Sequence, residues 1–159
     1  MNRWISCVVA LAVVSLAPGL ARGDDGDDEA MKIAVKVTTE GAATFDTLSA
    51  SAMAAYYEED ARLSLVIRSN EGLKTEFHNG RGEIEKAYAK IFEKPETIKS
   101  HNDVKAARLL APDVLTIDGT FDLNTLKPDS PKIPFHQVRV KKGDKWQILS
   151  MEVFYVPAK

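Results

Sequence analysis

The chain has 159 residues, of which 45% are hydrophobic and 28% charged, and its formal net charge is −2. This length and apolar content are sufficient for one globular domain with its own core. The mildly acidic balance, without a cluster of basic residues, argues against nucleic acid and anionic membrane surfaces as partners. Small molecules and other proteins remain as the expected partners.

Residues 1–23 have the pattern of a secretory signal peptide. A short basic start at Arg3 precedes the apolar run Ile5 to Leu16, which is shorter than the about 20 residues that span a bilayer. Ala21-Arg22-Gly23 then supplies small residues at a cleavage site. We therefore predict export to the periplasm or the exterior after cleavage near Gly23, with no membrane attachment of the mature protein. An uncleaved membrane anchor is the alternative.

The mature chain is predicted to contain no cysteine, because Cys7 is the only one and lies within this segment. Disulfides, cysteine nucleophiles and cysteine metal ligands are then excluded together. Loss of Arg3 and Arg22 leaves 19 basic residues against 23 acidic ones, a net charge of about −4. Residues 24–29 form a like-charge run that predicts a disordered acidic tail, and residues 30–159 are predicted to form the folded domain.

Two short helices are predicted after the tail. Apolar residues at helical spacing begin at Ala30, and Gly41 is expected to bend or end the first helix. The second helix is expected to begin at Asp46, Thr47 or Ser49, each of which is a residue type that caps helix N-termini.

A hairpin and a third helix are predicted next. The acidic run 58–60 is expected to form the turn into an alternating strand over residues 61–68. Ser69-Asn70-Glu71-Gly72 predicts a hairpin turn, and residues 73–78 predict the return strand. An amphipathic helix with acidic residues in its first turn follows, and Pro95 is expected to end it.

The remainder of the chain predicts long strands without helical periodicity, over residues 98–110, 114–123, 135–142 and 146–156. Helices at the front and a curved antiparallel sheet behind them predict an α+β layer architecture. On the strand 135–142, the less polar alternate set His136, Val138 and Val140 is assigned to the inner face of the sheet, opposite Arg139.

Three short motifs, in this order along the chain, resemble the nuclear transport factor 2-like superfamily. They are YYEEDA at 56–61, GRGEI at 80–84 and GDKWQI at 143–148. Within the superfamily, the chain looks most like SnoaL-like and ketosteroid-isomerase-like secreted bacterial proteins. The resemblance implies a cone-shaped, cystatin-like roll closed by helices, an apolar pocket inside it, and homodimerisation through the outer face of the sheet.

The resemblance also implies which side chains line the pocket on the last strand, and alternation adds the other strands. The predicted ligand-binding residues are Tyr56, Leu63, Leu65, Ile67, His136, Val138, Met151, Val153 and Tyr155. The isomerases of the superfamily use a carboxylate base, a tyrosine of the first helix and a protonated carboxyl group. The corresponding strand positions hold Leu65 and His136 here, and the first helix has no tyrosine, so steroid isomerase chemistry is disfavoured.

His136 is the leading catalytic candidate, with Asp118 as its predicted partner. An inward histidine moves a proton near neutral pH, orients a ligand, or serves only as structure. Asp118 reaches the cone only if its strand bulges at Gly119; otherwise we predict that it pairs across the sheet with a lysine or an arginine. No spacing of histidines or carboxylates predicts a metal site.

The sequence therefore predicts an exported protein that binds a small, mostly apolar molecule without a cofactor. The first alternative is an enzyme of the polyketide-cyclase, isomerase or hydrolase type with His136 as general acid or base. The second alternative is a dimeric association module with a vestigial pocket. The surroundings of His136 distinguish the enzyme from the binding protein.

Overall fold

The computed structural model describes residues 25–94 and 97–156, and the predicted signal peptide lies outside them. This part of the chain forms three helices and one six-stranded sheet. The helices are α1 (Asp25–Phe45), α2 (Ala50–Ala54) and α3 (Arg81–Ile91). The strands are β1 (Tyr57–Ser69), β2 (Gly72–Asn79), β3 (His101–Ala111), β4 (Val114–Asp122), β5 (Lys132–Lys142) and β6 (Lys145–Tyr155). None of the described helices combines the length and the apolar character needed to cross a membrane.

The first helix, α1, is continuous, which corrects two predictions. Residues 25–29, predicted to be a disordered tail, form its first turns, and residues 26–29 are exposed. Gly41 lies inside the helix and does not end it. One glycine weakens a helix by only about 1 kcal/mol, and burial of Ala34 and Val37 against the sheet offsets this.

The joint between α1 and α2 is where the sequence placed a helix cap. Of the three candidates, Ser49 is the N-cap residue, and its Oγ accepts a hydrogen bond from the Ala52 N–H at 3.3 Å. The carboxylate of Asp46 instead accepts hydrogen bonds from the N–H and the hydroxyl of Ser100, at 2.8 and 2.7 Å. The joint is thereby attached to the segment that leads into β3.

The sheet has the strand order β2-β1-β6-β5-β4-β3. All neighbouring strands are antiparallel except β1 and β6, which are parallel. The predicted antiparallel sheet is therefore a mixed one. Local sequence patterns predict hairpin partners, whereas the β1–β6 pairing joins the two ends of the sheet-forming chain.

The acidic run 58–60 belongs to β1 and is not the predicted turn. The register of β1 against β6 shifts between Tyr57 and Arg62, so a bulge accommodates the extra residues. Glu58 is 4% exposed and forms an ion pair with Lys142, while its neighbours Glu59 and Asp60 are exposed.

The two predicted hairpins are present, and one strand is longer than predicted. Ser69 pairs with Gly72 at the first hairpin and Lys142 with Lys145 at the last. Strand β5 begins at Lys132 and passes through Pro134. This proline pairs with β4 but precedes the first residue that pairs with β6, so its missing N–H leaves no gap in that ladder.

Two clusters of buried side chains attach the helices to one face of the sheet. One cluster packs α2 and α3 against β1 and β6, and the other packs α1 against β4 and β5. Phe121 and Met151 contact both clusters. This covered face is called the inner face below, and the opposite face the outer face.

Candidate functional site

A cavity of about 310 Å³ lies between the helices and the inner face of the sheet. This volume is at the lower end of the roughly 300–1,000 Å³ that is typical of small-molecule sites. Its walls are mostly apolar. The strand residues that line it are Tyr57, Leu63, Leu65, Ile67, Asn102, Phe121, Ile133, Phe135, Gln137, Arg139, Ile148, Met151, Val153 and Tyr155.

Most of the predicted ligand-binding residues meet at this cavity. They are Tyr56, Leu63, Leu65, Ile67, Met151, Val153 and Tyr155. Strand β6 changes its alternation at Leu149, because its register against β5 shifts between Val138 and Arg139. Ile148 therefore also faces the cavity, although simple alternation places it opposite Met151. The contact of these residues with a ligand stays a prediction.

The predicted inner face of β5 was wrong. Phe135, Gln137 and Arg139 line the cavity, whereas His136 and Val138 do not. Alternation separates the two faces of a strand but does not say which of them is covered. Gln137 and Arg139 were assigned to the face opposite the inner one, but both are buried and are hydrogen-bonded to each other.

His136 and Asp118 are brought together on the outer face of the sheet. They are directly paired across β4 and β5, and Nδ1 of the histidine lies 2.7 Å from Oδ1 of the carboxylate. Their side chains are 41% and 56% exposed. The cross-strand partner of Asp118 is therefore this histidine and not the predicted lysine or arginine.

The bulge that would turn Asp118 inward is not formed. The register of β4 against β5 is continuous through Gly119, and the irregularity lies on β3 between Val104 and Ala106. The His136–Asp118 pair thus has the chemistry of a general acid–base pair, but it does not reach the cavity.

Two tyrosine hydroxyls form a hydrogen-bonded pair beside the cavity. The hydroxyl oxygens of Tyr57 and Tyr88 lie 2.9 Å apart, and the Tyr57 hydroxyl also donates to Sδ of Met151 at 3.1 Å. Burial raises the pKa of Tyr57 well above its usual value and raises that of Tyr88 as well. Both groups are therefore neutral at physiological pH.

Arg139 supplies the charge among the described residues that line the cavity, and it is 2% exposed. Its Nε donates to Oε1 of Gln137 at 2.9 Å, and its Nη1 donates to the carbonyl oxygen of Trp146 at 3.2 Å. Burial lowers the pKa of Arg139 to about 10, so the group is still a cation at neutral pH.

Arg139 and Tyr56 also line a second cavity, of about 540 Å³, at the side of α1. Lys36, Glu40 and Lys145 are among its other lining residues. The Tyr56 hydroxyl is held by Thr44 Oγ1 at 3.0 Å and by the Glu40 carbonyl oxygen at 3.3 Å. The two residues thus separate an apolar cavity from a charged one. Within the described ranges, no group of histidines and carboxylates is arranged to hold a metal ion.

Gln137 and Arg139 are the site residues that sequence reasoning missed. The missed signal was the true start of β5. Beginning the strand at Lys132 adds Ile133 to the face that already holds Phe135, so the two largest apolar side chains of β5 share the face of Gln137 and Arg139.

No protein-family model and no curated protein matches the chain. Solved structures do match the chain. An NTF-2 like protein of unknown function from Shewanella oneidensis is 20% identical, with 79% of this chain and 98% of that chain covered and a TM-score of 0.61. A putative calcium/calmodulin dependent protein kinase II association domain from Xanthomonas campestris is 23% identical, with coverages of 80% and 88% and a TM-score of 0.57.

The beta subunit of a putative aromatic-ring-hydroxylating dioxygenase from Novosphingobium aromaticivorans is only 8% identical, yet 83% of this chain and 93% of that chain superimpose with a TM-score of 0.64. At such identities the agreement concerns the fold. The fold implied by the sequence resemblance is confirmed: the chain is an α+β protein with the curved, mixed six-stranded sheet and helical cover of nuclear transport factor 2-like proteins.

Proposed function

We propose that the protein binds a small, mostly apolar molecule in the cavity on the inner face of its sheet. The observation that carries this proposal is the cavity itself, whose walls come from apolar side chains on β1, β5 and β6. The tyrosine hydroxyls beside it already bind each other, so most of the surface offered to a ligand is hydrocarbon.

Aromatic rings favour a flat, rigid ligand. Phe45 lies edge-on to Phe92 and to Phe121, with ring centroids 5.0 Å apart in both pairs. Phe45, Phe121 and Tyr88 all line the cavity. Edge and face contacts from such rings suit an aromatic body.

Turnover is not part of the proposal. The acid–base pair predicted from the sequence, His136 and Asp118, lies on the outer face, 41% and 56% exposed. A ligand in the cavity has no access to that histidine through the sheet.

The test is calorimetric titration with 2-naphthamide, a neutral bicyclic probe. Leu65 lines the cavity, whereas the next residue, Val66, belongs to the opposite face of β1. We expect saturable binding to the wild-type protein and to Val66→Trp, and loss of binding in Leu65→Trp, whose indole fills the cavity. Absence of binding to the wild-type protein, or equal binding by the two variants, would contradict the proposal.

We propose as a second function that copies of the chain associate through the outer face of the sheet. Leu73 and Phe77 are 65% and 58% exposed. Phe77 pairs with Ser64, and Val66 pairs with Phe154, so these residues share one face of β2, β1 and β6. An exposed apolar patch of this kind is typical of an interface.

Light scattering after size exclusion tests this association. We expect a dimer for the wild-type protein and a monomer for Phe77→Glu, since the added charge enters the apolar patch. Lys74→Glu is the matched control, because this exposed residue of the same strand alternates with Leu73 and faces the other way. A wild-type monomer would refute the association without affecting the cavity.

We also propose that the protein is exported, as the pattern of residues 1–23 supports. Mass spectrometry of the protein expressed from its full coding sequence in a bacterium is expected to give an N-terminus near Asp24. A product that retains Met1 in the cytoplasm would contradict export.

A further inference from the structure

We propose that Arg139 and Gln137 form a subsite that binds the carboxylate of the cavity's ligand, so that the ligand class is a small aromatic or otherwise apolar monocarboxylic acid. This inference rests on the proposed function, because it names the chemistry of the molecule bound in the same cavity. Four features of the site carry it: unused donors, an uncompensated charge, the position of Gln137, and the composition of the walls.

The guanidinium of Arg139 has unused donors. An arginine presents five N–H groups in a planar fork, and acceptors are present here only for Nε–H and for one N–H of Nη1. Within the described part of the chain, no acceptor is within hydrogen-bonding distance of Nη2. Nη2 is not fully enclosed, so an acceptor from a ligand can reach it and complete the hydrogen bonding of this largely buried guanidinium.

The positive charge of Arg139 is also uncompensated. No carboxylate of the described residues lies within 4.0 Å of it, in contrast to the ion pair between Glu58 and Lys142. The carboxylate that acts on the pKa of Arg139 is that of Glu40, more weakly than three tyrosines do, and Glu40 lines the second cavity and not the first. A buried cation without a partner is strongly destabilising, and an anionic ligand removes that penalty.

The side chain of Gln137 holds the guanidinium of Arg139 in place. Its Oε1 accepts from Arg139, and its Nε2 lies 3.7 Å from Sδ of Met151, a weak acceptor. The amide thus orients the guanidinium, and Gln137 itself lines the cavity. A planar guanidinium matches the two oxygens of a carboxylate, which accept its N–H groups side by side.

The walls of the cavity decide the rest of the ligand class. Among the described lining residues, Arg139 is the only one with a full charge. One cation in an apolar cavity balances one negative charge, which favours a monocarboxylate over a phosphate or a dicarboxylate. The apolar surface from β1 and β6 then covers the ring or chain that carries the acid.

The experiment compares 2-naphthoate with 2-naphthamide, which has nearly the same shape but no charge, by calorimetric titration at neutral pH. For the wild-type protein we expect the acid to bind at least about tenfold more tightly than the amide. This is the gain in affinity expected from one additional hydrogen bond between charged groups. In Arg139→Met this preference is expected to disappear, because the acid loses far more affinity than the amide does.

The amide also reports whether Arg139→Met is folded. If that variant does not fold, Arg139→Lys is used, because it keeps the charge and removes the fork. The preference for the acid should then fall severalfold. As a matched control, Arg62→Met changes an exposed arginine of β1 and should keep the full preference.

The outcomes separate the two proposals. Binding of neither probe to the wild-type protein refutes the proposed function, and the subsite with it. Equal binding of both probes, or a preference that survives in both Arg139 variants, refutes only the subsite.

Discussion

The two faces of β5 place similar chemistry in opposite surroundings. On the inner face, Arg139 is 2% exposed and has no carboxylate partner among the described residues. On the outer face, His136 lies 2.7 Å from Asp118, and both side chains are in contact with solvent. The residue with an ideal partner is thus the one where pairing matters least, because water already stabilises exposed charges.

This difference shows that a polar pair by itself does not mark a functional site. The His136–Asp118 pair has the residue types of an acid–base couple, but it faces away from the cavity. Arg139 does not resemble a catalytic motif, yet its burial makes its charge the strongest polar feature of the cavity. Four variants test this comparison, in order of decreasing expected effect.

The largest effect is expected for Gly119→Ala on the inner side of β4. A Cβ at this position would lie 2.7 Å from Cζ of Phe135 and 2.8 Å from the carbonyl oxygen of Asp103. Because a backbone atom blocks one side, we expect the free energy of unfolding to fall by about 3 kcal/mol. Urea denaturation followed by circular dichroism measures it.

Gly82→Ala is the control for this change. A Cβ at Gly82 meets no atom within 4 Å, and the residue lies in the first turn of α3. We expect it to be neutral or to stabilise the protein by up to about 1 kcal/mol. Similar losses in both glycine variants would mean that the packing of Phe135 does not decide the outcome.

The second effect is expected for Gln137→Leu/Arg139→Met, in which the buried polar pair becomes apolar. Without ligand, we expect the free energy of unfolding to rise by about 1–2 kcal/mol, because an uncompensated buried charge is removed. Denaturation at pH 7 with and without 2-naphthoate measures it. A loss of stability in the ligand-free variant would show that Arg139 is a structural residue.

The pH dependence of this gain follows from the pKa of Arg139, which burial lowers to about 10. The folded state binds this proton less tightly than the unfolded chain does, so the penalty is fully present below pH 10. It fades as the pH rises above about 10 towards the ordinary arginine pKa of the unfolded chain. The advantage of the double variant should shrink over the same interval.

A smaller effect is expected for Tyr57→Phe, which removes one member of the hydroxyl pair with Tyr88. Loss of this hydrogen bond should lower the free energy of unfolding by about 1 kcal/mol at pH 7. Burial raises the pKa of Tyr57 above 10.0. The contribution of the neutral Tyr57 hydroxyl to the stability of the folded protein is therefore fully present below pH 10 and is lost at higher pH.

The difference in the free energy of unfolding between wild type and Tyr57→Phe reports on this tyrosine alone. Arg139 is present in both proteins, so its opposite pH dependence cancels. We expect the difference to decrease as the pH is raised from 9 to above 10.0, where the unfolded tyrosine ionises. Denaturation curves at several pH values measure it. A constant difference would show that Tyr57 has the same pKa in both states.

The smallest effect is expected for His136→Ala on the outer face. An exposed cross-strand pair contributes little, so the free energy of unfolding should change by less than about 0.5 kcal/mol. Binding of 2-naphthamide should not change. A large loss that depends on protein concentration would instead indicate that copies of the chain cover this pair.

Much of the element order was predictable, since each element depends on local signals. The turn at Asn70-Glu71 and the turn at Gly143 follow from residue types that adopt hairpin geometry, and both are confirmed. Leu63 and Leu65 were placed on one face by alternation, and both line the cavity.

The predictions failed where a distant contact decides. Gly41 was expected to interrupt α1, but packing on the sheet keeps the helix continuous. Glu58 was placed in a turn, but pairing with β6 extends β1 across it. In both cases the local preference is worth about 1 kcal/mol or less, and tertiary burial outweighs it.

Periodicity and turn chemistry were enough to predict the α+β class, the order of the strands along the chain and the presence of an apolar inner surface. The parallel pairing of β1 with β6 and the inward face of β5 were decided only in the tertiary structure. The physical reason is the same for both. Alternation is symmetric about a strand, and only the helices packed on one side make Arg139 buried and leave His136 in solvent.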